Sequence, residues 1–446
     1  MSDVQTLQEK INYDKTFDCV QCGYCLPACP TYETMERETH SPRGRINLVK
    51  LVAEGKASIK DLQEPIEKCL GCMACTTVCP TNVQYGQILE GAKEVIEDHQ
   101  VKSVWQKKTE DFLFESFFPS GKWMNTLGNL TWFYQRTGLQ AFANLLSLTK
   151  LAPLHLDQFE QVIPVQPSPK ERAKRAKRYM RKRPATAKVA FFTGCVMDSV
   201  FFETNQNTIE LLLRSGLEVV LPEQQTCCGA LHAHSGKIND SRELAKRNIE
   251  AFEEEKADYI VNNAGGCGAR LIEYHHLFEE GTSWHERAKQ FVSKVKDISE
   301  VLVEVDELEF TTPIDYTVTY QPSCHMTNVQ GVKSPPLELI RKIPGITLKE
   351  LDRPDFCCGS AGIYNIINYE ESMDILDVKM KDVCRIDPGS IVTTNPGCLL
   401  QMKLGIEREK VSDGMEAVHL VDLLMEASPV ARQDGPRQTP FQKGSE

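Results

Sequence analysis

The run C-x2-C-x2-C-x3-C-P occurs twice, as CVQCGYCLPACP at 19–30 and as CLGCMACTTVCP at 69–80. Few features restrict a fold more. Each run must wrap three thiols around one object on a tight loop and then send a fourth thiol off along the next element. That spacing ligates [4Fe–4S] cubanes in two-cluster modules, where the fourth cysteine of each run serves the other cluster. Cys19, Cys22, Cys25 and Cys79 are therefore expected to hold one cluster, and Cys69, Cys72, Cys75 and Cys29 the other. Pro30 and Pro80 are expected to start helices, since a first helical residue needs no N–H. Zinc also uses C-x2-C, but it closes four ligands into one tetrahedron, and the doubled eight-cysteine run favours iron–sulfur.

Nine further cysteines follow, and eight of them repeat. Cys195, the pair Cys227 and Cys228, and Cys267 recur as Cys324, Cys357 and Cys358, and Cys398, at offsets of 129, 130 and 131. A constant offset marks an internal duplication. Cys384 has no counterpart and reads as a bystander thiol. Both adjacent pairs precede a glycine, in TCCGALH and FCCGSAG. A bridge within such a pair is strained, because neighbouring Cα atoms lie ~3.8 Å apart and a relaxed disulfide spans ~4.4–6.8 Å. Two thiols reaching two irons of one cluster explain the pair better, with Gly229 and Gly359 permitting a sharp turn.

The surroundings repeat as well. AKVAFF and YTVTY read as first strands, LEVVLP and ITLKEL as second, DYIVNN and SIVTTN as third. TNQNTIELLLRSG and PPLELIRKIPG read as helices between them. Alternating strands and helices imply parallel sheets, whose ligands collect beyond the carboxyl ends of the strands. Every repeated cysteine follows a strand, so each unit is expected to gather its four thiols at one sheet edge. His232, His234 and His325 sit beside these motifs and read as hydrogen-bonding residues rather than ligands.

The 446-residue chain holds 17 cysteines, too many for bystanders and too long a chain for a disulfide-stapled scaffold. Its start, MSDVQTLQEK, lacks the apolar core of an export signal, and no apolar run reaches the ~18 residues of a membrane span, so a cytoplasmic protein is expected. The net charge of −11 argues against nucleic acid as a partner. One stretch runs the other way: KERAKRAKRYMRKR at 170–183 carries nine Lys or Arg and one Glu. It reads as a solvated helix or linker, or as a dock for an acidic partner or anionic lipid. Residues 101–160 are rich in Trp and Phe at helical spacing, broken at Pro119. They read as a helical pack over the ferredoxin-type module, or as a surface for a partner subunit or a membrane. Pro164, Pro167 and Pro169 mark an extended linker. Within the first module, helices are expected around 45–54 and 61–67. In SPRGRI at 41–46, Ser41 is an N-cap candidate, and Arg43 and Arg45 are either part of that cap region or cations beside a cluster.

The helical two-cluster module resembles the C-terminal half of succinate dehydrogenase iron–sulfur subunits. The duplicated units resemble the cysteine-rich CCG pair of heterodisulfide reductase subunits and of iron–sulfur subunits of flavin-linked hydroxy-acid oxidases. Those patterns end in C-x-x-C, whereas here the last position is Arg270 in one unit and Gln401 in the other, leaving four cysteines per unit for a conventional cluster. Over nearly its full length, through both ferredoxin runs, HSPRGRI and the two CCG units, the chain resembles iron–sulfur subunits of glycolate oxidase. The resemblance implies a mixed α/β and α fold: a helical two-[4Fe–4S] ferredoxin-type domain (1–100), a helical segment with basic linker (101–186), and two pseudo-repeated α/β cysteine-rich domains (187–310 and 311–446). It implies one or two further iron–sulfur clusters in the CCG domains, FAD only on a partner hydroxy-acid oxidase subunit, and electrons passed from that flavoprotein toward a quinone or other acceptor, with peripheral contact to the inner face of the cell membrane. This chain would have no catalytic residue of its own. No nucleotide fingerprint or hydrolytic triad stands out. The alternatives are the equivalent subunit of D-lactate or anaerobic glycerol-3-phosphate dehydrogenase, a heterodisulfide-reductase-like thiol–disulfide enzyme, and a scaffold whose later cysteines bind zinc.

Overall fold

The computed structural model describes residues 3–146, 149, 155–180, 185–428 and 437–438. Arg181, Lys182 and Arg183 of the basic stretch lie outside the described residues.

The first hundred residues are helical. Helices Pro42–Ala53, Ile59–Glu67 and Tyr85–His99 bury Ile46, Val49, Leu62, Ile66, Ile88 and Val95 against Ile11. The first two start earlier than the apolar period alone indicates, because the caps set the start. Ser41 accepts from Gly44 N, and Ser58 forms a capping box with Asp61. Pro30 opens the helix Pro30–Met35, with Cys29 at its N-cap. Pro80 does not open one. After Cys79 the chain turns through Asn82, at φ 54°, and the next helix begins only at Tyr85.

Among the described residues ten strands follow: β1 (Arg178–Met180), β2 (Lys188–Phe191), β3 (Glu218–Val220), β4 (Tyr259–Asn262), β5 (Val295–Asp297), β6 (Thr317–Tyr320), β7 (Thr347–Leu348), β8 (Ser390–Thr393), β9 (Glu416–His419) and β10 (Arg437–Gln438). They form two sheets, ordered β10-β1-β3-β2-β4-β5 and β7-β6-β8-β9. β3-β2-β4-β5 is parallel throughout and so is β7-β6-β8-β9, so the duplication shows as one topology used twice. It also includes a fourth strand, β5 and β9, that has no cysteine after it and so no motif to announce it. Each fourth strand ends in a residue that caps the next helix: Asp297 for Ile298–Val305 and His419 for Leu420–Ala427. Val189, Phe191, Leu212 and Val219 share one core with Val318, Tyr320, Leu339 and Leu424, which fuses the two units.

The aromatic segment packs differently from the expected pack over the ferredoxin-type module. The wide turn Phe112–Phe117 and helix Gly121–Arg136 lie on the first CCG unit, while Lys102 ties helix Val104–Asp111 to the first module by pairing with both Glu110 and Glu97. Thr226 Oγ1 donates to Pro119 O (2.6 Å), Ser199 Oγ donates to Met124 O (2.9 Å), and His232 Nε2 bonds Phe114 O (2.7 Å). Helix Leu156–Val162 packs on Pro396–Glu409 of the second unit. These backbone carbonyls match polar side chains on the CCG surface, a match that an apolar pattern does not encode. The basic stretch is also tied down rather than solvated along its length. Pro169 starts a short helix after Ser168, and Arg172 donates to Asp198 O (3.0 Å), Ser199 O (2.7 Å) and Gln166 (2.6 Å). Arg175 pairs with Asp198, and Arg178 with Glu255.

Asp297 is fully buried, and its Oδ2 has no hydrogen-bond partner. Burial pushes its carboxyl up from 3.8 to about 7, against the hydrogen bonds from Ser299. The folded state then holds a proton that the unfolded state releases, so stability should fall as pH rises between these two values. Chemical unfolding across that window should show Asp297→Asn, which keeps the cap and carries no charge, gaining on the wild type with rising pH. A constant difference between the two would contradict this.

Candidate iron–sulfur sites

Two hollows open in the first module. One is lined by Cys19, Cys22, Cys25 and Cys79, with Cys75 on its border. The other is lined by Cys69, Cys72, Cys75 and Cys29. The fourth thiol of each run thus borders the void of the other run. Both loops bend in the same way. The residue before the second cysteine and the residue after it have positive φ in each run: Gln21 and Gly23 in the first, Gly71 and Met73 in the second. Among the described residues no group of three or more His, Cys, Asp or Glu converges on a single ion position. The thiols of the first module instead border volumes, as a multi-iron core requires. An all-thiol donor set suits iron–sulfur chemistry.

Arg45 is the strongest electrostatic feature here. Only 1% of it is exposed, and it donates to Pro65 O (2.7 Å), Thr31 Oγ1 (3.0 Å) and Lys68 O (3.3 Å), with Nη1 at 4.0 Å from Cys29 Sγ. Burial opposes its charge, but Cys69, Tyr85 and Cys29 outweigh burial and keep it protonated. Arg43 instead braces the first loop, with Nη1 donating to Gln21 O (3.2 Å) while it pairs with Glu38. Both readings of SPRGRI hold together: Ser41 caps, and Arg45 is a buried cation beside thiols.

In each CCG unit the cysteines leave the carboxyl ends of three parallel strands. Cys195 and Cys324 stand at the first turn of short helices after β2 and β6. Cys267 and Cys398 stand in the first turns of helices Gly265–Ile272 and Pro396–Glu409 after β4 and β8. The pairs follow β3 and β7. Cys195 and Cys227 sulfurs lie 3.7 Å apart, and Cys324 and Cys357 sulfurs 4.0 Å apart. Cys228 takes hydrogen bonds from Cys227 and Cys267, which hold its thiol well below the usual range. A hydrogen bond with Cys195, then that with Cys228 and burial push Cys227 well above it, and the bond with Cys228 and burial do the same for Cys267. In the second unit Cys358 likewise bonds Cys357 and Cys398.

The positions of the missing fifth cysteine have a structural use. Ser241 Oγ donates to Gly229 O (3.1 Å) and Ser372 Oγ to Gly359 O (3.0 Å), the same bond in both units. Arg270 donates to Ser241 Oγ (2.9 and 3.2 Å), and Gln401 Nε2 donates to Ser372 Oγ (2.9 Å). Each replacement clamps the serine that holds the Cys-Cys-Gly turn. Only the offset of 131 that joins Ser241 to Ser372 and Arg270 to Gln401 could have revealed this from the sequence.

His232 and His325 each bond through one ring nitrogen, His232 Nε2 with Phe114 O and His325 Nδ1 at 3.6 Å from Cys324 Sγ, and each leaves the other nitrogen without a partner among the described residues; His325 lies 5.4 Å ring to ring from His234. Cys384 is partly buried against the core of the second unit. The thiol sets are also linked across modules. Asn328 Nδ2 donates to Cys72 O (2.9 Å), and Cys72 and Cys324 pack beside Leu70, Phe356 and Cys357 in one cluster.

These features define an iron–sulfur electron-transfer protein built from a dicluster module and a duplicated cysteine-rich unit. Family profiles agree: "4Fe-4S dicluster domain" matches residues 15–83, "Glycolate oxidase iron-sulfur subunit, linker region" matches 105–163, and "Cysteine-rich domain" matches 189–272 and 318–403. The chain is 45% identical over 433 residues to a "Probable glycolate oxidase iron-sulfur subunit" of Bacillus subtilis (strain 168), covering 96% of this chain and 98% of that one. It is 29% identical over 385 residues to the glycolate oxidase iron–sulfur subunit of Escherichia coli (strain K12), covering 85% and 88% of the two chains. Lactate utilization protein A of Halalkalibacterium halodurans is 34% identical over 238 residues, 53% of this chain and 96% of that one. A crystal structure of a hypothetical protein from Helicobacter pylori, 9% identical, superimposes with TM-score 0.52 over 97% of this chain and 78% of that one, a likeness of fold alone. The chain belongs to the family of glycolate oxidase iron–sulfur subunits, the electron-transfer subunits of an oxidoreductase complex.

In Gly359→Ala a Cβ would fall 2.7 Å from Ser372 O, at a residue with φ +90°. Iron analysis of the intact chain should show a loss of about four irons per chain, whereas Cys384→Ser should lose none. Unchanged iron in Gly359→Ala would remove the Cys357–Cys358 turn from any cluster site.

Proposed function

We propose that the sixteen repeated cysteines are the cluster ligands: Cys19, Cys22, Cys25 and Cys79 for one cluster, Cys69, Cys72, Cys75 and Cys29 for a second, and Cys195, Cys227, Cys228 and Cys267 and then Cys324, Cys357, Cys358 and Cys398 for one in each CCG unit. The functional division is 1–100, 101–186, 187–310 and 311–446. Bound clusters of this kind take up and release single electrons. The rest of the role falls to the chain's own residues. Cys22 sits at an exposed loop, where a donor or acceptor can approach. Cys69 and Cys75 are buried, and the partly buried Cys72 abuts the second CCG unit. Arg45 offsets the negative charge that thiolates bring to that interior.

The observation that carries the reading is the contact of Cys72 with Cys324 and Cys357, which links the dicluster module to the CCG pair through one apolar cluster. The chain has no substrate site of its own in this reading. A partner subunit holds FAD and oxidises a 2-hydroxy acid, glycolate to glyoxylate by the names of the full-length relatives. This chain accepts the electrons and delivers them to a quinone or another acceptor at the cytoplasmic face of the cell membrane. Lactate is the rival substrate, supported by the lactate utilization relatives.

Mixed with the flavoprotein subunit without oxygen, the chain's visible absorbance should bleach on addition of glycolate and not on addition of D-lactate or glycerol 3-phosphate. Bleaching by D-lactate alone would transfer the protein to the rival reading. Cys72→Ser should leave reduction of the partner's flavin by glycolate intact and abolish delivery of electrons to an acceptor dye.

A further inference from the structure

Lys379, in helix Tyr369–Ile386, is only 1% exposed. A lysine is almost never buried that far unless other charges or several hydrogen bonds compensate it. Among the described residues its ammonium makes one hydrogen bond, to Arg353 O (2.6 Å), and no ion pair. It faces the Phe356 ring at 5.9 Å, which places it beside the Cys357–Cys358 pair. Burial pulls the ammonium down to about 8, while Asp382 and then the thiols of Cys358 and Cys357 pull it back up. The thiols are thus part of what holds a charge at this position.

The duplication shows what this lysine replaces. The offset of 131 that relates Ser241 to Ser372 also relates Asn248 to Lys379, on equivalent helices. Asn248 is buried and neutral; it donates to Cys227 O (3.0 Å) and Tyr274 Oη (2.9 Å) and accepts from Thr226 N (2.8 Å). The same offset relates Arg270 to Gln401. Here the charge lies in the first unit. Cys228 is held low first by its hydrogen bonds with Cys227 and Cys267, and the buried Arg270 guanidinium pulls the same way. One edge of that guanidinium meets Glu90, which is partly exposed to water, and the other meets Ser241 Oγ behind the Cys-Cys-Gly turn. The first unit therefore has a cation at 270 and an amide at 248, and the second has an amide at 401 and a cation at 379. One charge per unit is kept while its position is exchanged, which points to a need for charge at the turn rather than for a particular side chain.

We propose that Arg270 and Lys379 are exchanged forms of one device: each sets a single buried positive charge beside the Cys-Cys-Gly turn of its unit and raises the reduction potential of the cluster held by that unit's four cysteines. A nearby cation stabilises an added electron strongly where water screens poorly. The inference rests on the reading that each CCG unit holds a cluster. It keeps both units able to accept electrons from the first module, although their sequences differ at both positions.

The test is a redox titration of the full cluster-loaded chain, without oxygen and with mediator dyes, followed by EPR. Arg270→Gln and Lys379→Gln remove charge, whereas Arg270→Lys and Lys379→Arg keep it. Each Gln variant should make reduction of one couple about tenfold less favourable, about 59 mV more negative for one electron, and leave the other couples in place. The two Gln substitutions together should move two couples, and the charge-keeping variants should titrate as the wild type does. Gln401→Arg/Lys379→Asn, which gives the second unit the first unit's arrangement, should restore the couple that Lys379→Gln displaces. Couples that stay in place in both Gln variants overturn the proposal. Equal shifts in the charge-keeping and charge-removing variants overturn it too, since they would read geometry rather than charge. Loss of about four irons from each Gln variant would make the two side chains supports of the turn and overturn the electrostatic role. Wild-type iron of about eight per chain would sink the cluster reading and this inference with it, whereas about sixteen with unmoved couples would sink this inference alone.

Discussion

Four buried thiols gathered in one place are an unfavourable arrangement unless something cationic binds them. As thiolates they repel one another in a poorly screened interior, and as thiols they bury weak hydrogen-bonding groups for little return. The strain is visible in this chain. Burial, with neighbouring cysteines, pushes Cys72 and Cys75 well above the ordinary thiol range. Iron–sulfur cores resolve the conflict, because the metal takes the place of the protons. Much of the surrounding structure follows from the need to hold such sets in position: left-handed turns in the two loops, a buried arginine at the second set, and serine clamps behind both Cys-Cys-Gly turns.

The chain meets that need by two architectures. In the first module, loops wrap the thiols and helices supply the support, and the exchange of the fourth cysteine couples the two loops into one body. In the CCG units, parallel strands deliver one thiol after the first strand, two after the second and one after the third, and the order β3-β2-β4 or β7-β6-β8 brings those ends together. The position that would carry a fifth cysteine is used differently. Arg270 and Gln401 spend their side chains on Ser241 and Ser372, and Arg270 also pairs with Glu90 of the first module at 2.9 Å. These sites brace a four-cysteine set and tie it to the dicluster module.

The repeated strands and the gathering of the cysteines beyond them were legible because cysteine spacing and the 129–131 offset are local or periodic signals. The fourth strands β5 and β9 were not, since no cysteine follows them. Pro80 misled because the rule for a first helical residue says what proline permits, not what the chain after Cys79 does. The aromatic segment misled in a more instructive way. Its period indicated helices, which form, but not their partner, which is set by single hydrogen bonds such as Thr226 to Pro119 O and by which side of each helix is apolar. Arg172 and Arg175 belonged to a run that read as solvated charge, yet Asp198 and nearby carbonyls hold them to the first CCG unit.

Iron and acid-labile sulfide per chain, measured on protein purified without oxygen and followed by EPR before and after reduction, tests the account at its centre. Four occupied thiol sets predict about sixteen irons and as many sulfides, with signals from more than two clusters. About eight irons would confine clusters to the first module and contradict the assignment of the duplicated cysteines, and zinc in place of iron would contradict the electron-transfer role itself.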